Sequence, residues 1–483
     1  MLRAVAAVSR LTLHIGVLAL VITCLALAAL RVRLLVARTL GRRKTLAFLH
    51  PYCNDGGGGE RVLWVAIRAL QASGALDPSA WRVVVYTGDA DTDEQIRAHA
   101  RARFGVAVGA SVQFVRLALR GAIEARCYPV ATLLGQGLGS MLLAAEAIWR
   151  APPDVLVDTT GLGFAFPLLR LSGVPHIAAY VHYPIISSDM VKAVSSRHVA
   201  HNNSGSIAKS AIGTALKLLY YRLLVFLYSG AGRCADLVMA NGSWTAGHLS
   251  QLWGRPPEVV FPPCDTRALE ELPLRPPGGR QPQIVSLAQF RPEKDHALQL
   301  RAFAMLLSRY DAFDPPRPPR PHLVLAGAVR HSADQALLDK LRNLAQSLNL
   351  TPRDVTFSPN LSLEAVFKLL GESAVGLHTM WNEHFGIGVV EMMAAGLAVV
   401  AHDSGGPAMD IIGRNRDVGL LAATESEYCE AMASLLFGSD AERFRGIMAA
   451  AARSSVRDRF SESAFSDAFC GHIRVLLPKA HAI

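Results

Sequence analysis

Two glutamates, Glu383 and Glu391, stand eight residues apart with Gly386 and Gly388 between them, in the run Trp381-Asn382-Glu383-His384-Phe385-Gly386-Ile387-Gly388-Val389-Val390-Glu391. The run follows an apolar stretch ending at His378 and opens a pattern that reads as a helix on through Met392 to Ala395. A helix beginning near Phe385 turns its unpaired amides and the positive end of its dipole toward the carboxyl end of the preceding strand, a setting suited to a diphosphate. Gly386 and Gly388 let the backbone come close to such a ligand, with Phe385 and Ile387 beside them. Glu391, nearly two turns in, is placed to accept from a ribose diol, and Glu383, ahead of the first turn, from the hydroxyls of a sugar. The spacing of the two acids alone is a weak signal; the glycines and the strand-turn-helix context strengthen it.

Other residues fit the same chemistry. Arg291 and Lys294, in Gln289-Phe290-Arg291-Pro292-Glu293-Lys294, follow an apolar strand pattern and supply cations for the charge that grows on a departing diphosphate. Gly405 and Gly406, in Ser404-Gly405-Gly406-Pro407, form a tight turn whose exposed amides suit a sugar. Gly56, Gly57, Gly58 and Gly59 join a strand to a helix and permit close backbone approach; the loop is neither GxxxxGK[ST] nor GxGxxG. His182 ends a further strand and is a hydrogen-bond donor for a leaving phosphate or sugar; on spacing alone a satisfied structural histidine is the commoner case. Asp89, Asp91 and Asp93 make two overlapping DxD patterns, but they precede a helix expected near Glu94, where acids cap amides and offset the dipole. No GxSxG elbow and no HExxH occur, so hydrolase readings find no support.

The elements that must hold these residues are short β-branched runs alternating with helical patterns, the signature of βαβ units and a parallel sheet. Strands are expected at 45–50, 81–86, 112–115, 155–158, 176–181 and 237–241, and again at 284–287, 322–327, 355–358, 374–378 and 398–401. The fold class is therefore α/β, with two Rossmann-like domains facing a cleft. The division expected is an anchor with basic flank at 1–44, a first domain at 45–261, a proline-rich linker at 262–282, a second domain at 283–455 and a C-terminal helix at 456–483 crossing back. The near-continuous apolar stretch 215–228, too short to span a bilayer, carries Lys217 and Arg222 and suits either a membrane-interface helix or a buried one.

From Leu11 to Leu30 only His14 interrupts an uncharged run of 20 residues, long enough at about 1.5 Å per residue to cross roughly 30 Å of hydrocarbon. A cleaved signal peptide is the rival reading. Arg31, Arg33, Arg38, Arg42, Arg43 and Lys44 follow the run, and the positive-inside rule then leaves the folded mass cytosolic. The net charge of +10 comes from scattered bases with no aromatic-interleaved tract, so nucleic acid is disfavoured as a partner against an anionic leaflet or a nucleotide. Seven cysteines lack metal or CxxC spacing and fit a reducing compartment. Asn202, Asn241 and Asn360 begin formal glycosylation sequons, relevant only in a lumen.

With these residues in view, the sequence resembles glycosyltransferase family 4, enzymes of the retaining GT-B type. It is similar in particular to the GDP-mannose-dependent mannosyltransferases that extend dolichol-linked oligosaccharides, through HPYCNDGGGGERVLW, YVHYPIISSDM, QFRPEKDH, WNEHFGIGVVEMMAAG and HDSGGPAMDII. The resemblance implies α-1,2 transfer of mannose from GDP-mannose to a dolichol-diphosphate-linked oligosaccharide at the endoplasmic reticulum membrane, with no catalytic metal or other cofactor. It implies Glu383 on the donor mannose, Glu391 on the ribose, Arg291 and Lys294 on the diphosphate and His182 on the leaving side of the sugar. The family usually has Gly-Arg where this chain has Ala288-Gln289, which shifts the phosphate-binding role to Arg291. Spacing leaves GDP and UDP, and mannose and glucose, unseparated. A different lipid acceptor, or a silent scaffold subunit of the same fold, stays open.

Overall fold

The computed structural model describes residues 2–41, 43–196, 210–274, 276, 279–413 and 417–477, with the main chain alone at 2–16, 19 and 193. The chain divides into two compact units, the first comprising Met1–Ala240, Thr245–Val260 and Ser466–Ile483, the second Asn241–Trp244 and Phe261–Phe465.

In the first unit, strands β1 (Lys44–Leu49), β2 (Trp81–Thr87), β3 (Val112–Arg116), β4 (Val155–Asp158), β5 (His176–Val181), β6 (Leu237–Ala240) and β7 (Glu258–Val259) form one parallel sheet in the order β3-β2-β1-β4-β5-β6-β7. Helices cover both faces of a parallel sheet, so its central strands carry apolar side chains on both sides. Leu46, Ala47, Phe48 and Leu49 of β1 and Val155, Leu156 and Val157 of β4 are accordingly buried. The second unit repeats the plan with β8 (Gln281–Leu287), β9 (His322–Gly327), β10 (Val355–Pro359), β11 (Ser373–Leu377), β12 (Ala398–His402) and β13 (Leu420–Ala422), ordered β10-β9-β8-β11-β12-β13. Strand order reverses between β1 and β4 in one sheet and between β8 and β11 in the other. Doubly wound sheets bind ligands at such reversals, beyond the carboxyl ends of the strands.

The expected strands are all present within one to three residues at their ends. Two were missed, β7 and β13, because two and three residues are too few to show an alternating or apolar pattern. The expected linker is folded: Cys264 donates its amide to the Phe460 carbonyl at 3.1 Å, and Arg267–Glu270 is a short helix, both in the second unit. The last helix, Glu462–Arg474, passes to the first unit from Ser466 onward, and there Arg474 Nη2 donates to the Ser73 carbonyl at 3.3 Å.

One helix, Leu2–Leu40, runs unbroken through the apolar segment and the basic flank. Its stretch Leu20–Leu40 is long and apolar enough to cross a membrane. Its end docks on the first unit: Leu30 and Leu34 are buried, Arg33 Nε donates to the Trp149 carbonyl at 3.1 Å, and Arg38 bonds the Gly173 carbonyl at 3.1 Å and pairs with Asp154 at 3.5 Å. Two of the bases counted for orientation thus also hold the helix to the protein. The 215–228 segment belongs to a helix of 22 residues, Ala211–Gly232, capped by Ser210, whose hydroxyl accepts from the Gly213 amide at 3.0 Å. It is long enough to span, contrary to the sequence reading, because the small residues at both ends extend it beyond the apolar run. Thr214, Tyr221, Leu224 and Tyr228 face the core, while Ile212, Leu216, Leu219, Leu223 and Phe226 are exposed.

Asn241 is buried, and Asn360 uses its amide on the Val329 backbone, accepting at 2.9 Å and donating at 3.4 Å. The buried Asn241 is not presented for a glycan, whereas Asn360 lies at the surface. The third sequon, at Asn202, lies outside the described residues.

Candidate functional site

In the second unit, the loops after β8 and β11 flank the strand reversal and carry Lys294 and Glu383 respectively. Lys294 ends a single 3-10 turn, Pro292–Lys294, after which Asp295 turns left-handed (φ 44°) and caps the helix His296–Asp311 by accepting from the Leu298 amide at 3.1 Å. Thr379 Oγ1 donates to the Lys294 carbonyl at 2.8 Å and accepts from Gln299 Nε2 at 2.7 Å, which ties the two loops together. Lys294 Nζ is hydrogen-bonded and ion-paired to Glu383 Oε2. His378 Nε2 lies 3.3 Å from the same oxygen. Burial alone would raise the Glu383 pKa, but the His378 hydrogen bond and the Lys294 charge outweigh it and bring it down to about 2. The carboxylate is therefore ionised at any working pH, and Oε1 accepts from no protein donor among the described residues. Arg291 is partly exposed, 4.0 Å from Glu293.

The helix after Glu383 is Ile387–Ala394, starting two residues later than expected, with Gly386 as its cap at φ 113°, a conformation that favours glycine. Glu391 thus lies little more than one turn into the helix and is half-buried. Three neighbouring features also carry packing roles. Phe385 is buried against Phe261 and Phe460, at ring separations of 5.7 and 5.5 Å, so its side chain serves the core. A Cβ on Gly388 would stand 3.2 Å from the Leu287 carbonyl oxygen, so that glycine serves helix-to-strand packing. In the Gly405-Gly406 turn, the Gly406 amide is spent on the Glu383 carbonyl at 2.7 Å. Cβ atoms on Gly405 and Gly406 would stand 2.3 Å from the Glu383 and Phe385 carbonyl oxygens. The turn is a backbone clamp on the Glu383 loop, completed by Ser404 Oγ, which accepts from the Asn382 amide at 2.7 Å and bonds His402 Nδ1 at 2.9 Å.

In the first unit the loops after β1, β4 and β5 meet in the same way. Gly56 needs its glycine (φ 79°), Gly57 caps the helix Gly58–Ala72, and Gly58 and Gly59 open it. Glu60 Oε2 accepts from the Gly57 amide at 2.5 Å, and Glu60 Oε1 lies 3.2 Å from His50 Nε2. His50 Nδ1 lies 2.7 Å from Thr159 Oγ1, across the strand reversal. His182, after β5, keeps some exposure, yet its Nε2 is covered and has no hydrogen-bond partner among the described residues. It stands 3.6 Å from where a Cβ on Gly59 would be. Burial, then the neighbouring His50, lower the His182 pKa to about 4, leaving a neutral imidazole. The sequence reading missed His378, His50, Glu60 and Thr159. Two signals were available for them: a histidine at each of two strand ends, and an acid three residues past a helix cap.

The aspartates of the DxD runs hold loops. Asp89 accepts from Thr87 Oγ1 at 2.9 Å and the Asn54 amide at 3.0 Å and pairs with Arg120 at 2.7 Å; Asp91 accepts from Asn54 Nδ2 at 2.9 Å; Asp93 pairs with Arg116 at 2.9 Å. The cap of the following helix, Asp93–Phe104, is Thr92.

Two doubly wound sheets, each with polar groups gathered at its strand reversal, are the domains of the GT-B fold. The same fold occurs in the crystal structure of a glycosyltransferase from Rickettsia africae ESF-5, at 14% identity and a TM-score of 0.60 over 91% of this chain and 100% of that one. Residues 43–253 match the family described as ALG11 mannosyltransferase N-terminus, and 275–452 the one described as glycosyl transferases group 1. The GDP-Man:Man(3)GlcNAc(2)-PP-Dol alpha-1,2-mannosyltransferase of Dictyostelium discoideum is 43% identical over 90% of this chain and 85% of its own length. Its namesake in Xenopus laevis is 42% identical over 89% and 87%. The chain belongs to this mannosyltransferase family and is a glycosyltransferase.

Proposed function

We propose that this enzyme moves mannose from GDP-mannose to a dolichol-diphosphate-linked oligosaccharide, making an α-1,2 bond with retained configuration. We place it on the cytosolic face of the endoplasmic reticulum, held by the helix Leu2–Leu40. The donor and acceptor come from the printed names of the relatives. The single observation that carries the chemistry is the Glu383 carboxylate, its pKa held low and its Oε2 gripped by Lys294 and His378 at the reversal between β8 and β11.

In this reading the free amides at the start of Ile387–Ala394 and the side chains of Lys294 and Arg291 take the diphosphate, Glu391 accepts from the ribose and Glu383 Oε1 from mannose hydroxyls. The bond from the mannose anomeric carbon to the β-phosphate oxygen breaks and its electron pair stays on GDP. The acceptor oxygen bonds to that carbon on the same face and its proton passes to the departing phosphate oxygen. The cations counter the charge gained by the diphosphate. His182, neutral and with Nε2 unpartnered beside Gly59, accepts through Nε2 from a hydroxyl of the ligand.

The direct test supplies membranes holding the protein with GDP-mannose and a dolichol-diphosphate trimannosyl acceptor and maps the linkage of the added sugar. An α-1,2-linked mannose is expected. Transfer from UDP-sugars with none from GDP-mannose would overturn the substrate assignment and leave the fold intact.

A further inference from the structure

The cation assigned to the diphosphate is already engaged: Lys294 Nζ is committed to Glu383 Oε2, and the lysine is half-buried, so water does little to weaken the pair. His378 Nε2, at 3.3 Å, converges on the same oxygen, while Oε1 has no protein donor among the described residues. The His378 backbone is held in turn by Tyr428, whose hydroxyl donates to its carbonyl at 2.8 Å. We propose that Glu383 and the nucleotide diphosphate compete for Lys294, and that His378 is the positioning residue that keeps the carboxylate in place once the lysine has moved. The inference rests on the donor reading above and deepens it. Lys294 is the movable member of the triad, because it is a flexible stem with a rotatable head. Glu383 is fixed by its loop, clamped at Gly406, and His378 by its place at the end of β11.

The competition has a consequence opposite to what a plain binding residue would show. GDP carries no sugar for Glu383 to touch, so removing the Glu383 charge costs GDP nothing and frees Lys294 for it. With GDP-mannose the freed lysine and the lost sugar contact offset each other.

The test is calorimetric titration of GDP into the purified full-length protein and its variants, with circular dichroism to verify folding. Glu383→Gln is expected to bind GDP on the order of three- to tenfold more tightly than the wild type, and Lys294→Met at least about tenfold more weakly, as for loss of a hydrogen bond to a charged group. The double variant should match Lys294→Met, since without the lysine there is nothing to compete for. Glu383→Asp, which shortens the arm, serves if Glu383→Gln fails to fold and should also tighten GDP. His378→Phe should leave GDP affinity within about twofold and lower kcat, with KM for GDP-mannose little changed. Folded Glu383 variants with unchanged or weaker GDP binding would overturn the competition while leaving the mannosyltransferase reading intact. A wild type that binds neither GDP nor UDP would overturn both.

Discussion

At Glu383, burial and two cationic or hydrogen-bonding neighbours pull in opposite directions, and the neighbours win. Because the folded pKa, about 2, lies below the ordinary value of 4.5, the stabilisation from this group is complete above pH 4.5, declines as pH falls from there and is gone below about 2. An acid limb in the pH profile of kcat above pH 4 would therefore belong to another group. Glu383→Ala should lower kcat by about 10²- to 10³-fold with little change in KM for GDP-mannose, as for a contact made mainly in the transition state; a raised KM at unchanged kcat contradicts the role. His296, buried and stacked on Phe290 at 5.0 Å, is shifted in the same direction for a different reason. Burial, then the Lys294 charge, lower its pKa from 6.5 to about 4, so between those values the unfolded chain holds more protons and stability falls as pH falls. Melting temperatures followed from pH 7 to 4.5 should decline less steeply for His296→Phe than for the wild type. At this scale the sequence showed which residue types were present, and Glu383 and Lys294, both singled out there, stand together beside the reversal between β8 and β11. Their mutual pairing was not legible, because it joins residues 89 positions apart.

Among the secondary-structure elements, the lesson lies in the glycines. Gly386, Gly405 and Gly406 look alike in sequence, as loop glycines near a ligand. Gly386 is a left-handed cap, while Gly405 and Gly406 let one backbone lie on another. The distinction depends on how closely two loops approach after the sheet has formed, which no local pattern encodes. Gly327, unremarked in the sequence, has the tightest such fit: a Cβ there would stand 1.7 Å from the Ala288 carbonyl oxygen, where β9 meets the loop that leads to Lys294. Gly327→Ala must push that loop aside. It should cost about 1–3 kcal/mol of stability and weaken GDP binding by displacing Lys294, whereas Gly371→Ala, whose nearest neighbour is a Leu272 methyl at 3.6 Å, should do neither. Equal melting temperatures for the two variants would remove this account of Gly327. The strands of both parallel sheets were legible from the alternation of patterns; the short edge strands β7 and β13 and the start of Ile387–Ala394 were not, since so few residues carry no pattern and a helix start is fixed by contacts with neighbouring loops.

For the whole molecule, two helices among the described residues are long and apolar enough to meet a bilayer. The helix Leu2–Leu40 exposes Val17, Leu18, Leu20, Val21, Ile22 and Leu25, but from Leu30 onward it is part of the first unit. A truncation that removes residues 1–40 would strip Leu30 and Leu34 from a hydrophobic core and break the Arg33 and Arg38 bonds, so insolubility of that protein would say nothing about lipids. Cutting after residue 28 removes the exposed apolar stretch and keeps the docked one. In that shorter protein the second apolar helix still presents Ile212, Leu216, Leu219, Leu223 and Phe226 along one side, with Lys217 and Arg222 beside them. An apolar stripe flanked by bases favours an anionic interface over water. The truncated protein should float with vesicles containing phosphatidylserine, and replacing Leu216, Leu219 and Leu223 together by serine should release it. Those side chains are exposed, so the triple variant should keep its melting temperature within a few degrees. If the truncation stays in solution beside vesicles, Leu2–Leu40 is the sole attachment; if both proteins float equally, another surface carries the binding.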